Sequence, residues 1–433
     1  MSAARPQSAF LFRHRDFGLF WLAILFVNLA VQIEAVTIGW QVYGLARQSL
    51  SIDRSAFLVG MVGLSQFAPL FFLSLYAGAT VDRHDRRRIV MLSLGVEFLC
   101  VLGLIYVARH PSPSVMPIFA IAAVFGAARA FLSPANSAIA PMLVPREDMP
   151  QAISLKSLAW QGAVIVGPWF GGMLCAVSTA SSYEAAAGLY ALGMFTLFFL
   201  RANTMPERRP GSRWQQVREG LDYVWTNKII LGAISLDLFA VLLGGATALL
   251  PAFASDILHV GADGFGLLRS GPAIGAAIMA LILSRWPLKR RAGARMFAAV
   301  AAFGLATLVF AVSKSMTLSI LALAALGAAD MISVYVRQTL VQIVTPDHMR
   351  GRVSAVSGLF ISGSNELGEF ESGVMARLLG PVGAAIFGGI GTLVVTGTWA
   401  RLFPALYNAD RLDAPEAMEE TSAPQSLTAP ASS

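Results

Sequence analysis

Charge is what this 433-residue sequence has least of: only 13% of its residues are Asp, Glu, Lys or Arg, whereas a soluble domain carries about 25%. Hydrophobic residues make up 56% of the chain, and the mean hydropathy is +0.65. A membrane-spanning helix needs about 20 predominantly apolar residues, and the chain has enough for twelve such helices with short connections. The composition therefore excludes an ordinary soluble fold and predicts an all-α membrane protein.

Cysteine, histidine and phosphate-binding motifs are also scarce. The two cysteines, Cys100 and Cys175, both lie inside apolar runs, so we expect no structural disulfide. The five histidines are scattered, without the spacing of a metal site. No Gly-x-x-x-x-Gly-Lys-Ser/Thr stretch occurs, so ATP-driven transport would need a separate subunit. We therefore predict no metal, no cofactor and no enzymatic activity.

The net charge of +7 does not indicate nucleic-acid binding, because the basic residues fall in the connections between apolar runs. If both termini are cytoplasmic, the cytoplasmic segments hold 24 Lys and Arg residues and the external segments hold 5. Basic residues accumulate in the cytoplasmic loops of membrane proteins. The apolar run that starts at Phe17 is too long for the core of a cleavable signal. We therefore predict a multi-pass protein of a bacterial-type inner membrane, with both termini in the cytoplasm.

A short charged stretch, Gly78–Arg88, separates two apolar runs, Ala56–Thr80 and Ile89–Val107. It contains six charged residues and a histidine, and each charge would cost about 2.5–3.5 kcal/mol in hydrocarbon. The stretch must therefore lie in water. It predicts a tight basic hairpin between two membrane helices, on the cytoplasmic side.

The hairpin pattern Gly-x-x-x-Asp-Arg-x-Asp-Arg-Arg-Arg resembles the signature that the major facilitator superfamily carries between its second and third transmembrane helices. The resemblance covers about residues 15–403 and implies the fold of that superfamily, which is twelve helices in two pseudo-symmetric bundles. It also implies a conformational latch, in which Gly78 allows close packing and Asp82 accepts from the N-terminus of the eleventh helix. The predicted latch residues are Gly78, Asp82, Arg83, Arg86, Arg87, Arg350 and Arg352.

Twelve spans can be placed on the sequence, in two groups of six. They are 17–43, 56–81, 88–108, 115–138, 151–176, 183–201, 229–253, 264–285, 295–313, 317–338, 352–376 and 380–402. We predict a first bundle over 1–201, a cytoplasmic linker with an amphipathic helix over 202–228, a second bundle over 229–407 and a disordered cytoplasmic tail over 408–433. Val144–Met149 loosely matches Val344–Met349 at an offset of about 200. Paired repeats with a site between them are the build of many secondary transporters.

The fifth span carries a motif that predicts a bend and close helix packing. Its residues are Gly167, Pro168, Gly171 and Gly172. The motif resembles the superfamily's fifth-helix signature, which is associated with proton-driven exporters, although Ser154 and Ala163 replace two glycines of its longer form. Stretches at 131–135, 141–145, 349–353 and 368–373 resemble the enterobactin-exporter-like branch of bacterial exporters. This resemblance implies export but does not transfer a substrate.

Several charges interrupt the predicted spans, and such charges usually mark transport pathways or proton relays. They are Glu34, Glu97, Arg129, Asp237, Asp330, Arg337 and Glu366. If the fold is the superfamily's, spans 1, 4, 7 and 10 line a central cavity, and five of these charges lie on those spans. A carboxyl group in apolar surroundings takes up a proton more readily. The predicted proton-coupling residues are therefore Glu34, Asp237, Asp330 and Glu366, with the first two leading.

Arg129 and two amide residues on these spans each allow a functional and a structural interpretation. Arg129 is the predicted cavity charge, and it could instead pair with Asp330 to hold the two halves together. Asn28 and Gln32 are candidate substrate contacts, although hydrogen bonding between helices is the commoner use of such residues. Each buried charge has the alternative of a satisfied structural pair or a side chain that reaches towards water.

These features predict a secondary active transporter that exports a small amphipathic organic compound, of drug or siderophore type, against inward proton flow. The predicted partners are that substrate, protons and the lipid bilayer, and we expect function as a monomer without nucleic acid. The alternatives are an importer or facilitator of a small metabolite with the same fold, and a polytopic receptor or sensor. The absence of any sizeable soluble domain argues against a receptor, and the paired repeats and buried acids argue against a passive channel.

Cysteines introduced at Arg87 and Ser212 should react with thiol reagents only from the cytoplasmic side, because both positions lie in segments predicted to face the cytoplasm. The measurement is labelling of intact cells with a membrane-impermeant maleimide, with permeabilised cells as the positive control. Labelling of either cysteine in intact cells would contradict the predicted orientation.

Overall fold

The computed structural model describes residues 10–11, 13–110, 114–205, 213–288, 290–346 and 349–410, and no strand occurs among them. The N-terminal group of helices comprises α1 (Arg15–Arg47), α2 (Ile52–Val81), α3 (Arg86–Arg109), α4 (Met116–Leu143), α5 (Met149–Val177) and α6 (Thr179–Phe198). A separate helix, α7 (Arg213–Thr226), follows. The C-terminal group comprises α8 (Lys228–Gly244), α9 (Ala262–Arg285), α10 (Ala292–Val312), α11 (Met316–Val344), α12 (Arg350–Leu402) and α13 (Pro404–Tyr407).

Ten helices within the described ranges are long and apolar enough to cross a membrane, so the chain is a multi-pass membrane protein. One of them, α12, has 53 residues and would be about 80 Å long if straight, against a hydrocarbon core of about 30 Å. Gly380 breaks it, with φ 74° and ψ 164°. The helix α6 is not among the ten, yet its 20 residues pack against α1 and α3. Twelve spans therefore stay a prediction.

Polar side chains cap helices where the apolar runs stop. The Asp85 carboxylate accepts from the Arg87 backbone N–H at 3.0 Å and starts α3. The Ser178 hydroxyl accepts from Ser181 N–H at 3.0 Å and starts α6. Asn227 caps α8 by accepting two backbone N–H groups at 3.1 Å. These caps satisfy backbone donors that a helix leaves free at its first turn.

The helices of the two groups pack in the same pattern. In the N-terminal group α1 packs on α5 and α6, α2 on α4, and α3 on α4 and α6. In the C-terminal group α8 packs on α12, α9 on α11, and α10 on α11 and α12. With α12 counted as two segments at Gly380, each pairing in the first group recurs between the corresponding helices of the second group, α1 corresponding to α8 and so on. This recurrence is what a duplicated structural unit would produce.

The segments that flank the second group differ from the sequence predictions in one place. The helix α7 lies where an amphipathic helix is predicted, whereas residues 206–212 and the tail from 411 onwards lie outside the described residues. Residues 408–410 belong to the predicted disordered tail but have defined contacts. The Asp410 carboxylate accepts from the Arg291 backbone N–H at 2.8 Å, and the Ala409 carbonyl accepts from Gly293 N–H at 2.9 Å. These residues accept hydrogen bonds from backbone N–H groups at the start of α10, which have no partner within the helix.

Glycine allows α9 and α11 to touch backbone to backbone. A Cβ atom at Gly275 would lie 1.7 Å from the carbonyl oxygen of Ala324, and one at Gly327 would lie 1.9 Å from that of Pro272. Both distances are far below van der Waals contact, and these neighbouring atoms belong to the backbone and cannot rotate away. Small residues of this kind permit close helix association in membranes, where burial of apolar surface gives no driving force.

Gly275→Ala should lower the thermal stability of the purified protein, because overpacking of a tight contact costs about 1–3 kcal/mol. The matched control is Gly188→Ala on α6, where a Cβ atom meets nothing within 4 Å and stability should be unchanged or higher by about 0.4–1 kcal/mol. Thermal unfolding in detergent measures both variants. Equal stability of the two variants would contradict the proposed close contact.

Candidate functional site

A cavity of about 500 Å³ lies between the two helix groups. Its lining comes from α1, α2, α4 and α5 on one side and mainly from α8, α9, α11 and α12 on the other. The polar lining residues lie near the middle of their helices, as Gln66 does in α2, Arg129 in α4 and Asp330 in α11. The cavity is therefore near the midplane of the membrane-spanning region.

Five charged side chains line this cavity. They are Arg129, Arg269, Asp330, Glu366 and Glu369. Arg129 Nη1 lies 3.9 Å from Glu366 Oε1, so this ion pair joins the two helix groups. The two side chains are 32% and 22% exposed, and a pair this long and this solvated is weak. It can therefore be exchanged for contacts with a bound molecule.

The pairing of Arg129 differs from the one considered from the sequence. Arg129 and Asp330 both line the cavity, as predicted, but the ion pair of Arg129 is with Glu366. Arg269 and Glu369 interact electrostatically, and neither was among the predicted site residues. The sequence signal that could have identified them is the one that identified Arg129 and Asp330, namely a charge inside an apolar run.

Four amide side chains also line the cavity: Gln32, Gln66, Gln161 and Asn365. Gln161 Nε2 donates to the carbonyl oxygen of Ala273 at 3.2 Å, across the two groups. Gln32 was predicted as a substrate contact, and its position on the cavity wall is compatible with that role. Asn28, the other predicted contact, is not among the lining residues.

Glu34 lies away from the cavity, contrary to the sequence prediction. The cavity face of α1 carries Gln32, Ala35 and Gly39, and two residues along a helix turn the side chain by about 200°. Glu34 is 1% exposed and accepts a hydrogen bond from the Tyr190 hydroxyl at 3.1 Å. It lies inside the N-terminal group, where Glu97 is also buried.

Asp237 also lies outside the central cavity. Its Oδ2 atom is 3.2 Å from Nη1 of Arg337, and both side chains are almost fully buried. On α8 the cavity is lined from Val241 onwards, one helical turn beyond Asp237. Asp237 instead lines a second, much smaller void of about 10 Å³. The predicted coupling pair of Glu34 and Asp237 is therefore not assembled around one cavity.

Contacts between the two groups close the cavity at the membrane face opposite to the Gly78–Arg88 hairpin. The Tyr43 hydroxyl at the end of α1 donates to Asp256 Oδ2 at 2.5 Å. Arg47 Nη2 donates to Asp256 Oδ1 at 3.0 Å. Asp256 lies on a π-helical turn, Phe253–Ile257, between α8 and α9. We call this face the far end. The cluster of Tyr43, Arg47 and Asp256, together with the two glycine crossings described below, is called the far-end seal.

Two helix crossings extend the far-end seal, and both rely on glycine. A Cβ atom at Gly60 of α2 would lie 2.8 Å from Gly373 Cα of α12, and one at Gly172 of α5 would lie 2.8 Å from Gly266 Cα of α9. Gly172 belongs to the predicted fifth-helix motif. The other glycines of that motif face α1, since a Cβ atom at Gly171 would lie 3.0 Å from Ile33 Cα. The motif thus packs α5 within its own group and against the other group.

The basic hairpin is braced against its own helix group. Arg86 Nη1 donates to the Ala138 carbonyl oxygen at 3.0 Å, and Arg87 Nη2 donates to that of Phe198 at 2.6 Å. The Asp85 carboxylate accepts a short hydrogen bond from the Thr204 hydroxyl. Asp85, which is not among the predicted latch residues, therefore ties the hairpin to the segment that leads into the linker.

The remaining predicted latch residues lie around the same membrane face. Gly78 is buried and Arg83 is exposed, and Asp82 ends α2. Arg352 Nη1 pairs with Glu219 Oε2 of α7 at 2.6 Å, and Arg350 Nε donates to the Gln342 carbonyl oxygen at 3.1 Å. The start of α12 is thus tied to the linker helix. The latch role itself stays a prediction.

The sequence model of a family described as transmembrane secretion effector matches residues 7–427 of the chain. The chain belongs to this family. It is 26% identical over 399 residues to the enterobactin exporter EntS of Citrobacter koseri, with 91% of this chain and 92% of the relative covered. The resemblance to the major facilitator superfamily stated from the sequence is confirmed, and the family members are transporters, not enzymes.

Solved transporter structures share the fold of this secretion-effector transporter. A bacterial homologue of the human lysosomal transporter Spinster, in an inward-facing and unoccupied conformation, matches with a TM-score of 0.68 at 12% identity, over 94% of this chain and 98% of that one. A POT family transporter in complex with 5-aminolevulinic acid matches with a TM-score of 0.71 at 12% identity, over 90% and 96% of the two chains. At these identities the likeness shows the fold alone.

Asp256→Asn should open the far-end seal, because it removes the charge that holds Tyr43 and Arg47. A hydrogen bond to a charged group is worth about 1.5–3 kcal/mol, and partial solvation favours the lower value, so the population open at the far end should rise by about tenfold. Spin labels on cysteines at Ser49 and Lys314, both exposed at this end, report the change as a longer distance.

The matched control is Glu184→Gln, which breaks the exposed ion pair between Arg109 and Glu184 within the N-terminal group. It removes a charge at the same end without touching the seal, so its distance distribution should equal that of the unmodified chain. An Asp256→Asn distribution indistinguishable from this control would show that the cluster does not hold the far end closed.

Proposed function

We propose that this transporter exports a small amphipathic organic compound by alternating access, driven by protons that move inwards. The observation that carries the proposal is the cavity of about 500 Å³ near the midplane, lined by both helix groups and closed at the far end. Ligand sites commonly have volumes of about 300–1,000 Å³. Secondary transporters hold their substrate near the midplane, between repeated units that rock around it.

The proposed architecture has twelve spans in two bundles, residues 1–201 and 229–407, joined by the linker over 202–228. Counting the two segments of α12 and adding α6 to the ten apolar helices gives this number. With both termini in the cytoplasm, the hairpin end faces the cytoplasm and the far-end seal faces outwards. The cavity is then sealed on its outer side, as it is when an exporter collects its substrate from the cytoplasm.

The cavity chemistry supports an amphipathic substrate. Apolar residues contributed by helices of both groups make up most of the wall, and four amides supply neutral hydrogen-bond donors and acceptors. Two arginines and three carboxylates supply charges of both signs. The relatives named enterobactin exporters support export, and they make a siderophore-type compound a member of the class to test.

Asp330 and Glu366 are the coupling residues that the geometry favours. Both reach the cavity, so a substrate and a proton can compete for the same carboxylate. Such competition makes the bound substrate leave when a proton arrives from outside, which is antiport. Glu34 lies inside one bundle and has no route to the substrate along the cavity wall, so we propose a structural role for it.

The hairpin is the proposed latch, acting at the cytoplasmic face through Gly78, Asp82 and the arginines of the motif. Arg352 ties the start of α12 to α7 through Glu219, so a movement of α12 would pull on the linker helix. The transporter would act as a monomer in the inner membrane, since one chain contains both helix groups and the whole cavity. An importer or facilitator with the same fold is the alternative, and the direction of proton-driven flux separates it from an exporter.

Purified protein in proteoliposomes with an imposed pH gradient should accumulate at least one compound from a panel of siderophores and drugs. Glu366→Gln should abolish accumulation against a gradient and leave exchange of substrate at equal concentrations, because rocking would no longer require a proton. Glu184→Gln is the control for loss of a carboxylate, and its uphill transport should be normal. Asp237→Asn and Glu34→Gln test the two residues that the sequence favoured.

Normal uphill transport by Glu366→Gln and by Asp330→Asn would rule out both cavity acids as the coupling site. Accumulation that follows the substrate gradient with no response to pH would identify a facilitator. Specific binding of a panel compound without flux in any direction would support a receptor instead.

A further inference from the structure

The buried side chains next to the cavity form a second polar site inside the C-terminal group. Asp330, Ser333 and Arg337 are spaced by three and four residues on α11, so their side chains share one face of the helix. Asp237 on α8 meets this face through Arg337, at 3.2 Å. Asp330 lines both the central cavity and the small void, and it is the charged residue common to the two.

The void has room for one water molecule and polar atoms to hold it. Its volume is about 10 Å³, and its lining includes Asp237, Asp330 and Ser333. A water molecule needs about 10–15 Å³ and two to four polar partners. The hydroxyl oxygen of Ser333 and the Nε and Nη1 atoms of Arg337 have no hydrogen-bond partner within the described part of the chain. Arg337 is therefore close to Asp237 without a well-oriented hydrogen bond, and a water in the void would satisfy the Ser333 hydroxyl, which lines it.

The charge balance of the cluster requires one additional positive charge. Two ionised carboxyl groups and one guanidinium sum to −1, and an uncompensated charge buried in a bundle is strongly unfavourable. The lining from α8 and α10 is otherwise apolar, namely Ala240, Val241, Val300 and Phe303. Further charged groups, Arg129, Arg269, Glu366 and Glu369, line the central cavity beyond Asp330.

We propose that Asp237, Asp330, Ser333 and Arg337 form a binding site for one proton and one water molecule, separate from the substrate cavity and in contact with it only at Asp330. The proton is shared by the two aspartates through the water, and Arg337 holds the remaining carboxylate charge. The site deepens the proposed function, on which its role in coupling rests, because it places the transported proton behind the cavity wall. A substrate that contacts Asp330 from the cavity would then expel the proton without entering the void behind the cavity wall.

The site can be tested without substrate or gradient, by infrared difference spectra of the purified protein in lipid membranes at low and high pH. A protonated carboxyl band should disappear at high pH, and it should shift when aspartate carries ¹³C in its carboxyl group. Asp237→Asn and Asp330→Asn should each abolish this band, since either change leaves one carboxylate balanced by Arg337. Glu371→Gln, a half-buried acid of α12 outside both cavities, should leave the band unchanged.

Three results would overturn the site. The first is a band that does not shift with labelled aspartate, which can be read on the unmodified protein even if a variant fails to fold. The second is survival of the band in either asparagine variant. The third is loss of the band on addition of sodium at constant pH, which would identify a sodium site. If the infrared spectra support the site but uphill transport does not respond to pH, the proposed proton coupling is wrong and the proton site is still supported.

Discussion

The low polarity of the bilayer core is the constraint on which this structure depends. Backbone groups in that region must be satisfied within the chain, which explains why the described residues form long helices. Charged side chains in that region need water or a partner. Many charges of this chain accordingly lie in the basic hairpin, around the central cavity, or in buried pairs such as Asp237 with Arg337. Glu34 and Glu97 are exceptions, since both are buried inside the N-terminal group.

Polar contacts are distributed unequally along the membrane normal. At the far end the groups meet through a charged cluster and through backbone crossings such as Gly60 with Gly373. Near the midplane they meet through the long, solvated pair of Arg129 and Glu366. In the proposed alternating-access mechanism, strong contacts at one face and weak contacts in the middle would let the closed face hold while the cavity exchanges its contents. Bound molecules would then alter the balance between states by competing with the weak contacts.

Sequence reasoning located the spans better than it located their faces. Apolar runs and basic loops placed the helices, and charges inside those runs identified Arg129, Asp330 and Glu366, which do line the cavity. Glu34 was misplaced because a helix surrounded by lipid and by other helices is apolar all round, so its periodicity does not reveal which side faces a cavity. Gln32 and Glu34 are two positions apart on α1, and this offset places the first side chain on the cavity wall and the second inside the bundle.

Contacts that depend on distant parts of the chain were beyond sequence reasoning. From the sequence, Asp256 is an ordinary acidic residue in a loop, and only the fold brings it close to Tyr43 and Arg47. Arg269 and Glu369 could have been selected by the rule that selected Arg129, but nothing in the sequence shows that they share a cavity. Partner choice, as in Arg129 with Glu366, depends on rotations of a few tens of degrees that span boundaries do not resolve.

The two glycine crossings have a consequence for the origin of the chain. With α12 counted as two segments and the linker helix α7 left out, α2 corresponds to α9 and α5 to the first segment of α12. Under this correspondence the contact of α2 with α12 and the contact of α5 with α9 exchange places. Contacts related in this way are those of an isologous dimer, in which one surface is used twice about a two-fold axis. The chain is thus organised like the two subunits of an ancestral dimer joined end to end. Fusion frees the copies to diverge, so that one can place Arg129 and the other Asp330 at the same depth, which two identical subunits could not do.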